Sequence, residues 1–488
     1  MTMVIPKALV RLLYCMASIS ILTNVQGQPI LPLERISISH HQGVIQGHAI
    51  EFNAEVKETI FWSDDNKSPT VSAITTSYII ENNGTPDSVR PILFVFNGGP
   101  GASSSPLHMN AFGPMRILQS RDSPSLIPNS YSLLDLADLV FIDPPGTGFT
   151  KVFDSIVAAM YWDVKGDAKL FVDLINKWKK DHHRESSPIF LCGESYGTTR
   201  AAMILGIAKD LPISGVIFLS SLFDMSIVNP APANDMPYVL FLPSMAALAW
   251  YHHKLSPGIK SATQAYNEAI QFSLNEYISA LAKGINLPIK ERQHTIFRLS
   301  QIIGLPSKTL MEKDIRITPL DFELLLLETE KKRIGQLNGQ ITGPLHNPGV
   351  KPPFDDPSMS MRPSTKGIVG NYFNQYLKFS DTLSYKTLNL DINSRWNWSS
   401  MQEEIGYSTV IPKLQKAIKE QPGLKLFVTG GYYDLATPLY AARYELEHSG
   451  IPKEKITYVN FPTGHSIFEN EIELEKLTKL IRRFINSF

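Results

Sequence analysis

The segment Gly193-Glu-Ser195-Tyr-Gly197 sets a serine between two glycines, directly after the apolar run Pro188–Cys192 and before a stretch, 197–209, with helical spacing of apolar residues. A serine at a strand-to-helix turn of this kind stands on strained backbone with its hydroxyl exposed above a sheet edge, and the glycines keep side chains out of the crowded turn. The helix that begins behind it aims N–H groups at the charge that develops when the hydroxyl attacks a carbonyl. Ser195 is therefore the candidate nucleophile. Its hydroxyl needs a base, the base needs an acid to orient it, and a nucleophile elbow predicts the chain order Ser, Asp or Glu, His. Asp434 follows the run Leu424–Thr429 and its glycines, and His465 follows the run Ile456–Phe461. Both fall just past the ends of apolar runs, as Ser195 does, so His465 is the candidate base and Asp434 the candidate acid. Asp224, just past the run Gly215–Leu219, is the rival acid. Asn97-Gly-Gly-Pro-Gly101 follows the run 91–96, where a loop carrying a second oxyanion donor is expected. The N–H groups of Gly99 and Tyr196 are the candidate oxyanion hole.

These residues need a scaffold that brings the ends of several strands to one edge. Short continuous apolar runs at 91–96, 137–142, 188–192, 215–219, 424–429 and 456–461 suit strands buried on both faces. Between several of them lie helical patterns, at 161–180, 197–209 and 435–449. Residues 45–80 read as strands and turns. Strands alternating with helices predict a doubly wound, mainly parallel sheet with right-handed crossovers. With the elbow, this is an α/β-hydrolase fold. The alternation fails from 224 to 394, where helical runs near 238–251, 261–283, 289–303 and 308–330 precede a Pro/Gly-rich loop at 343–363. That stretch reads as a mostly helical cap over the C-terminal edge of the sheet, where open α/β sheets bind ligands. The expected organisation is a signal segment at 1–27, a first core part at 28–223, the cap at 224–394 and a second core part at 395–488.

Composition narrows the function classes. The 488 residues are 43% apolar and 19% charged, as in ordinary globular proteins, and Lys+Arg and Asp+Glu both number 46. Without a basic excess there is no electrostatic footprint for nucleic acid. No CxxC, HExxH or Walker A loop occurs, so neither a metal nor a nucleotide cofactor is expected. The doublets His40-His41, His182-His183 and His252-His253 read as surface or packed histidines. At the N-terminus, Lys7 and Arg11 precede an apolar stretch from Leu12 to about Val25, with small residues before Gln28. This reads as a cleaved secretion signal, too short and too polar for a membrane anchor. Its removal takes away Cys15 and leaves Cys192 alone, so no intramolecular disulfide is available. A secreted or periplasmic enzyme without disulfides fits a bacterial envelope or medium. The apolar run 236–251 holds Pro237 and Pro243, and reads as a buried cap helix rather than a membrane span.

The segments Phe96–Ser104, Ala111-Phe-Gly-Pro114, Phe141–Gly148, Gly193–Gly197, Gly430–Asp434 and Gly464-His465 together resemble the serine carboxypeptidase family. The resemblance runs from about residue 50 to the C-terminus, and several segments look most like its bacterial members. It implies removal of one residue from a peptide C-terminus, with the substrate's free carboxylate held by Asn97, Gly98 and Glu194. Three departures stand out. Ala102 replaces a cysteine that eukaryotic members use in a disulfide. Ala111 stands where members commonly carry a second glutamate that pairs with the first, and Val95 where they often have tryptophan. The acyl-transfer groups are thus complete and carboxylate recognition is partly matched. The leading expectation is a serine-type carboxypeptidase acting on peptide or protein C-termini through an acyl-enzyme. An esterase or acyltransferase on the same scaffold is the first alternative, and a non-catalytic binding protein the second. A substrate carboxylate facing Glu194 must share a proton with it. Peptide binding should therefore weaken as pH rises above an acidic optimum. KM measured over about pH 5 to 8 should climb, and a flat KM would count against the carboxylate pair.

Overall fold

The strand Ile92–Phe96 shows how the core is layered. Ile92, Phe94 and Phe96 point into one apolar cluster, with Phe171, Leu174 and Trp178 of the helix Val164–Asp181. Leu93 and Val95 point into a second, with Leu107, Phe112 and the C-terminal helix residues Leu477 and Ile481. A strand whose successive residues enter two cores has no polar face, which is why the run reads as continuously apolar.

In the computed structural model, residues 31–81, 89–118, 124–346, 349–360, 365–401 and 408–488 are described. Glu34–Phe488 form one compact unit. The expected secretion signal, 1–27, lies outside the described residues. The strands in chain order are β1 (Ile36–Ile45), β2 (His48–Trp62), β3 (Pro69–Ile80), β4 (Ile92–Phe96), β5 (Met115–Leu118), β6 (Ser125–Pro128), β7 (Asp138–Asp143), β8 (Ile189–Glu194), β9 (Ile213–Leu219), β10 (Lys332–Ile334), β11 (Thr342–Pro344), β12 (Lys425–Gly431) and β13 (Ile456–Phe461). Nine of them form one sheet in the order β1-β2-β3-β7-β4-β8-β9-β12-β13. The first three strands pair antiparallel and β3 meets β7 antiparallel; from β7 to β13 every pairing is parallel. This mainly parallel sheet, flanked by helices and carrying a serine elbow after β8, is an α/β-hydrolase fold.

Between β9 and β12 the chain leaves the sheet. A third apolar cluster gathers the helices Met236–Tyr251, Ala262–Phe272 and Ile289–Ile303, and it also takes in Tyr432, Tyr433 and Leu435 around Asp434. Met236–Tyr251 is buried nearly all round despite Pro243 in its interior. No helix among the described residues is long and apolar enough to cross a membrane. The helical spacing over 308–330 is divided into Ser307–Glu312 and Pro319–Leu325. Asp314 and Ile315 turn left-handed, with φ 48° and 59°, and Thr318 and Asp321 start the second helix with a reciprocal capping box. The hairpins β5–β6 and β10–β11 escape sequence reading, because strands of three or four residues are too short to show a period.

At the C-terminal end of β7, Asp143 ties three segments together. Its carboxylate accepts the Ser104 N–H at 2.7 Å and the Tyr385 hydroxyl at 2.7 Å. Burial pushes its pKa up to about 6, against the opposing pull of those two donors. The folded chain thus keeps a proton that the unfolded chain has already released. Its contribution to stability is fully present below about pH 4 and is lost as pH rises to about 6, about 3 kcal/mol in all. Asp143→Asn should remove that slope: denaturant titrations of wild type and variant should converge at about pH 6 less than at pH 4, with the difference changing by a few kcal/mol across the window. Parallel stability curves would show that Asp143 does not titrate there.

Candidate active site

β8 ends at Glu194 and the helix Tyr196–Ile207 begins one residue later. Ser195 makes the turn with φ 58° and ψ −129°, a region that costs an L-residue about 1–3 kcal/mol. The turn is held by the Ser195 N–H on the Leu219 carbonyl of neighbouring β9, at 2.9 Å, and by the Thr198 N–H on the Ser195 carbonyl, at 2.8 Å. Adjacent parallel β4 delivers the Asn97–Gly101 loop to the same edge. A Cβ on Gly98 would lie 2.5 Å from the backbone nitrogens of both Tyr196 and Gly197, so only glycine permits this approach. Gly99 follows with φ +100°. The Asn97–Gly99 loop and the N-terminus of the serine's helix are therefore side by side.

Asp434 and His465 leave β12 and β13, which lie beyond β9 along the same sheet. Asp434 is fully buried. Its Oδ1 accepts the N–H groups of Ala436 at 2.8 Å and Thr437 at 3.1 Å. Its Oδ2 accepts the Thr437 hydroxyl at 2.8 Å and His465 Nδ1 at 2.7 Å. A carboxylate only accepts here, so Nδ1 carries a proton and donates it to Oδ2. The backbone of His465 is fixed as well, its carbonyl accepting the Ser220 hydroxyl at 2.5 Å. Asp224, the rival acid, caps the short helix Met225–Val228 through the Ser226 N–H and hydroxyl.

The two halves of the site meet at Glu194. Ser466, next to the histidine, donates its hydroxyl to Glu194 Oε1 at 2.9 Å, while Asn97 Nδ2 donates to Oε2. Glu194 is the residue before Ser195, so this bond draws the histidine loop against the elbow. Asn97 is oriented in turn by the Leu107 N–H on its Oδ1, at 3.0 Å. Ala111, where a second acid was looked for, is fully buried.

Sequence reasoning missed the polar support beneath these residues. Arg200 is fully buried, four residues beyond Tyr196. It binds both oxygens of Asp167, at 2.7 and 3.1 Å, and donates to the Asn97 carbonyl at 2.6 Å. The Tyr196 hydroxyl also reaches Asp167, at 2.8 Å, and the rings of Phe171 and Tyr196 lie against the guanidinium. Thr437 and Ser466 were missed too. Thr437, three residues after Asp434, sits at the spacing at which an Asp side chain caps a following turn, the one local signal available. Cys192 is buried under the elbow, and burial together with nearby Glu194 pushes its thiol pKa well up, so it is an unreactive packed thiol.

A family model described as serine carboxypeptidase matches residues 77–459, ending short of His465. Among curated relatives, serine carboxypeptidase-like 5 of Arabidopsis thaliana is 31% identical over 146 residues, 27% of this chain and 31% of that protein. The pheromone-processing carboxypeptidase kex1 of Sclerotinia sclerotiorum is 33% identical over 119 residues, 24% of this chain and 18% of that protein. The chain thus spans about a third or less of the length of these relatives. Among solved structures, a thermostable carboxyl esterase from Bacillus coagulans aligns with 88% of this chain and 98% of its own, at 14% identity and a TM-score of 0.38.

Breaking a buried ion pair leaves an uncompensated charge, whereas replacing both partners does not. Arg200→Met should cost about 3–5 kcal/mol of stability, and Asp167→Asn with Arg200→Met distinctly less than the sum of the two single changes. Additive losses in denaturant unfolding would mean that the pair is not coupled.

Proposed function

The chain belongs to the serine carboxypeptidase family, and on that premise we propose that it is a secreted serine-type carboxypeptidase that hydrolyses the last peptide bond of peptide or protein substrates. The observation that carries this reading is the 2.7 Å bond from His465 Nδ1 to Asp434, in a loop whose next residue, Ser466, is bonded to Glu194 beside Ser195. His465 Nε2 takes the Ser195 proton as Oγ attacks the scissile carbonyl, and Asp434 stabilises the imidazolium. The oxyanion accepts hydrogen bonds from the Gly99 and Tyr196 N–H groups. The imidazolium then protonates the leaving amine, the C–N bond breaks, and the acyl group remains on Oγ. Water, deprotonated by His465, attacks that ester and frees Ser195. Asn97, Gly98 and Glu194 hold the free carboxylate of the residue removed. Secretion rests on the basic and apolar N-terminal pattern, and residues 224–394 act as the cap over the sheet edge.

An esterase or acyltransferase is the second reading. It is favoured by Ala111, a methyl at the sequence position where members of the family commonly carry a second glutamate.

The test is product analysis on blocked dipeptides with a free or an amidated C-terminus, alongside a simple acyl ester. A carboxypeptidase should release the C-terminal residue of the free acid with kcat/KM at least about 100-fold above the amide, since removing a charged hydrogen-bonded anchor costs several kcal/mol. Ser195→Ala should abolish both turnover and labelling by a fluorophosphonate. Ester turnover without peptide cleavage selects the second reading, and a wild-type protein that neither turns over nor labels is a binding protein.

A further inference from the structure

The loop between β10 and β11 belongs to the segment that leaves the sheet, yet it reaches both residues of the acid–base pair. The Gly339 N–H donates to the Tyr433 carbonyl at 3.0 Å, the Gln336 carbonyl accepts the Leu435 N–H at 2.9 Å, and the Leu337 carbonyl accepts the His465 N–H at 2.6 Å. Residues 433 and 435 flank Asp434. One loop therefore splints the acid from both sides and holds the base by its own amide. The fit is close: a Cβ on Gly464 would lie 2.5 Å from Asn338 Cβ and 2.6 Å from the Leu337 carbonyl. This linkage is main chain to main chain and independent of the Asp434–His465 side-chain bond.

The loop is held from its far side by two buried residues. Asp356 Oδ2 accepts the Gln336 N–H at 3.0 Å, and Ser358 Oγ accepts the Leu337 N–H at 3.1 Å. Asp356 Oδ1 in turn accepts the Ser358 N–H at 2.7 Å and its hydroxyl at 2.8 Å. His252 Nε2 donates to the Gly339 carbonyl at 2.7 Å, and Arg333 of β10 pairs with Glu323 at 3.0 Å and Asp355 at 3.2 Å. One run of bonds passes straight through a single peptide unit: the Leu435 N–H donates to the Gln336 carbonyl, the Leu337 N–H of that same peptide donates to Ser358 Oγ, and Ser358 donates to Asp356, while the Leu337 carbonyl that accepts from His465 belongs to the next peptide along. Aligned bonds polarise one another, so loosening the Asp356 end weakens the hold on Leu435, and releasing the Gln336 and Leu337 N–H groups frees the backbone whose next carbonyl positions His465.

We propose that Asp356 and Ser358 are positioning residues for the hydrolytic reaction, acting through the 335–341 loop to set the spacing of Asp434 and His465. Neither touches the reacting atoms. The consequence is that docking of the inserted segment and alignment of the acid–base pair are one event. The proposal rests on the catalytic reading of Asp434 and His465, and goes beyond it in naming what holds them.

The experiment compares Asp356→Ala, Asp356→Asn and Ser358→Ala in the full chain, with three readouts: kcat and KM on a blocked dipeptide, the rate of fluorophosphonate labelling of Ser195, and the downfield proton resonance of His465 Nδ1–H. Misplacement of a catalytic group by a fraction of an ångström costs up to about 100-fold in rate. Asp356→Ala should lower kcat and the labelling rate by about 10- to 100-fold with KM within about twofold, and should shift or broaden the downfield resonance. Asp356→Asn, which keeps one acceptor oxygen and turns an amide NH2 toward a donor in place of the other, should recover part of the loss. Ser358→Ala, a smaller change that keeps the test open should Asp356→Ala not fold, should move the same readouts in the same direction. A folded Ser358→Ala or Asp356→Ala protein with wild-type kcat and an unchanged resonance overturns the proposal, as does a loss confined to KM. A wild-type protein that shows the resonance and does not label overturns the catalytic reading itself, which separates the two failures.

Discussion

A serine hydroxyl at neutral pH is a poor nucleophile, and it becomes a good one only where a neutral imidazole is held with its lone pair toward it. The bond between His465 Nδ1 and Asp434 fixes the imidazole, and it joins loops from two different strands. Much of the surrounding architecture serves this constraint. β12 and β13 run parallel and in register, so their C-terminal loops emerge together. Thr437 and the amides of residues 436 and 437 occupy the rest of the Asp434 carboxylate, leaving one direction for the imidazole. Ser220, at the end of β9, pins the histidine's carbonyl from the strand between the elbow and the acid.

The polar groups under the site are buried and mutually satisfied. Arg200 lies fully inside the molecule, and its donors go to Asp167 and to the carbonyl of Asn97. A buried pair is seldom a net gain over apolar packing, because desolvation offsets most of the attraction. Its geometric effect is clear: one guanidinium joins the helix behind the serine, the helix Val164–Asp181 and the loop after β4. The strained Ser195 backbone persists because these neighbours determine it from several sides.

Glu194 joins two loops of the site. The hydroxyl of Ser466 binds its Oε1 and the side-chain amide of Asn97 its Oε2. The Ser466 bond couples the residue before Ser195 to the residue after His465.

How much of this was legible in the sequence follows from what a linear pattern encodes. Continuous apolar runs between helical stretches fix a parallel sheet buried on both faces, and the residue just past each run then lies at one edge. For that reason the placement of Ser195, Asp434, His465 and the Asn97–Gly99 loop at strand ends follows from chain order alone. The split of 308–330 into two helices and the short hairpin β10–β11 did not, because left-handed turns and three-residue strands leave no periodic trace. Nor could the sequence pair Ser466 with Glu194, Arg200 with Asp167, or Leu337 with His465. Spacing along the chain records which face of its own element a residue occupies, whereas these partners come from separate elements, and only the packing of the folded chain brings a donor within hydrogen-bond reach of its acceptor.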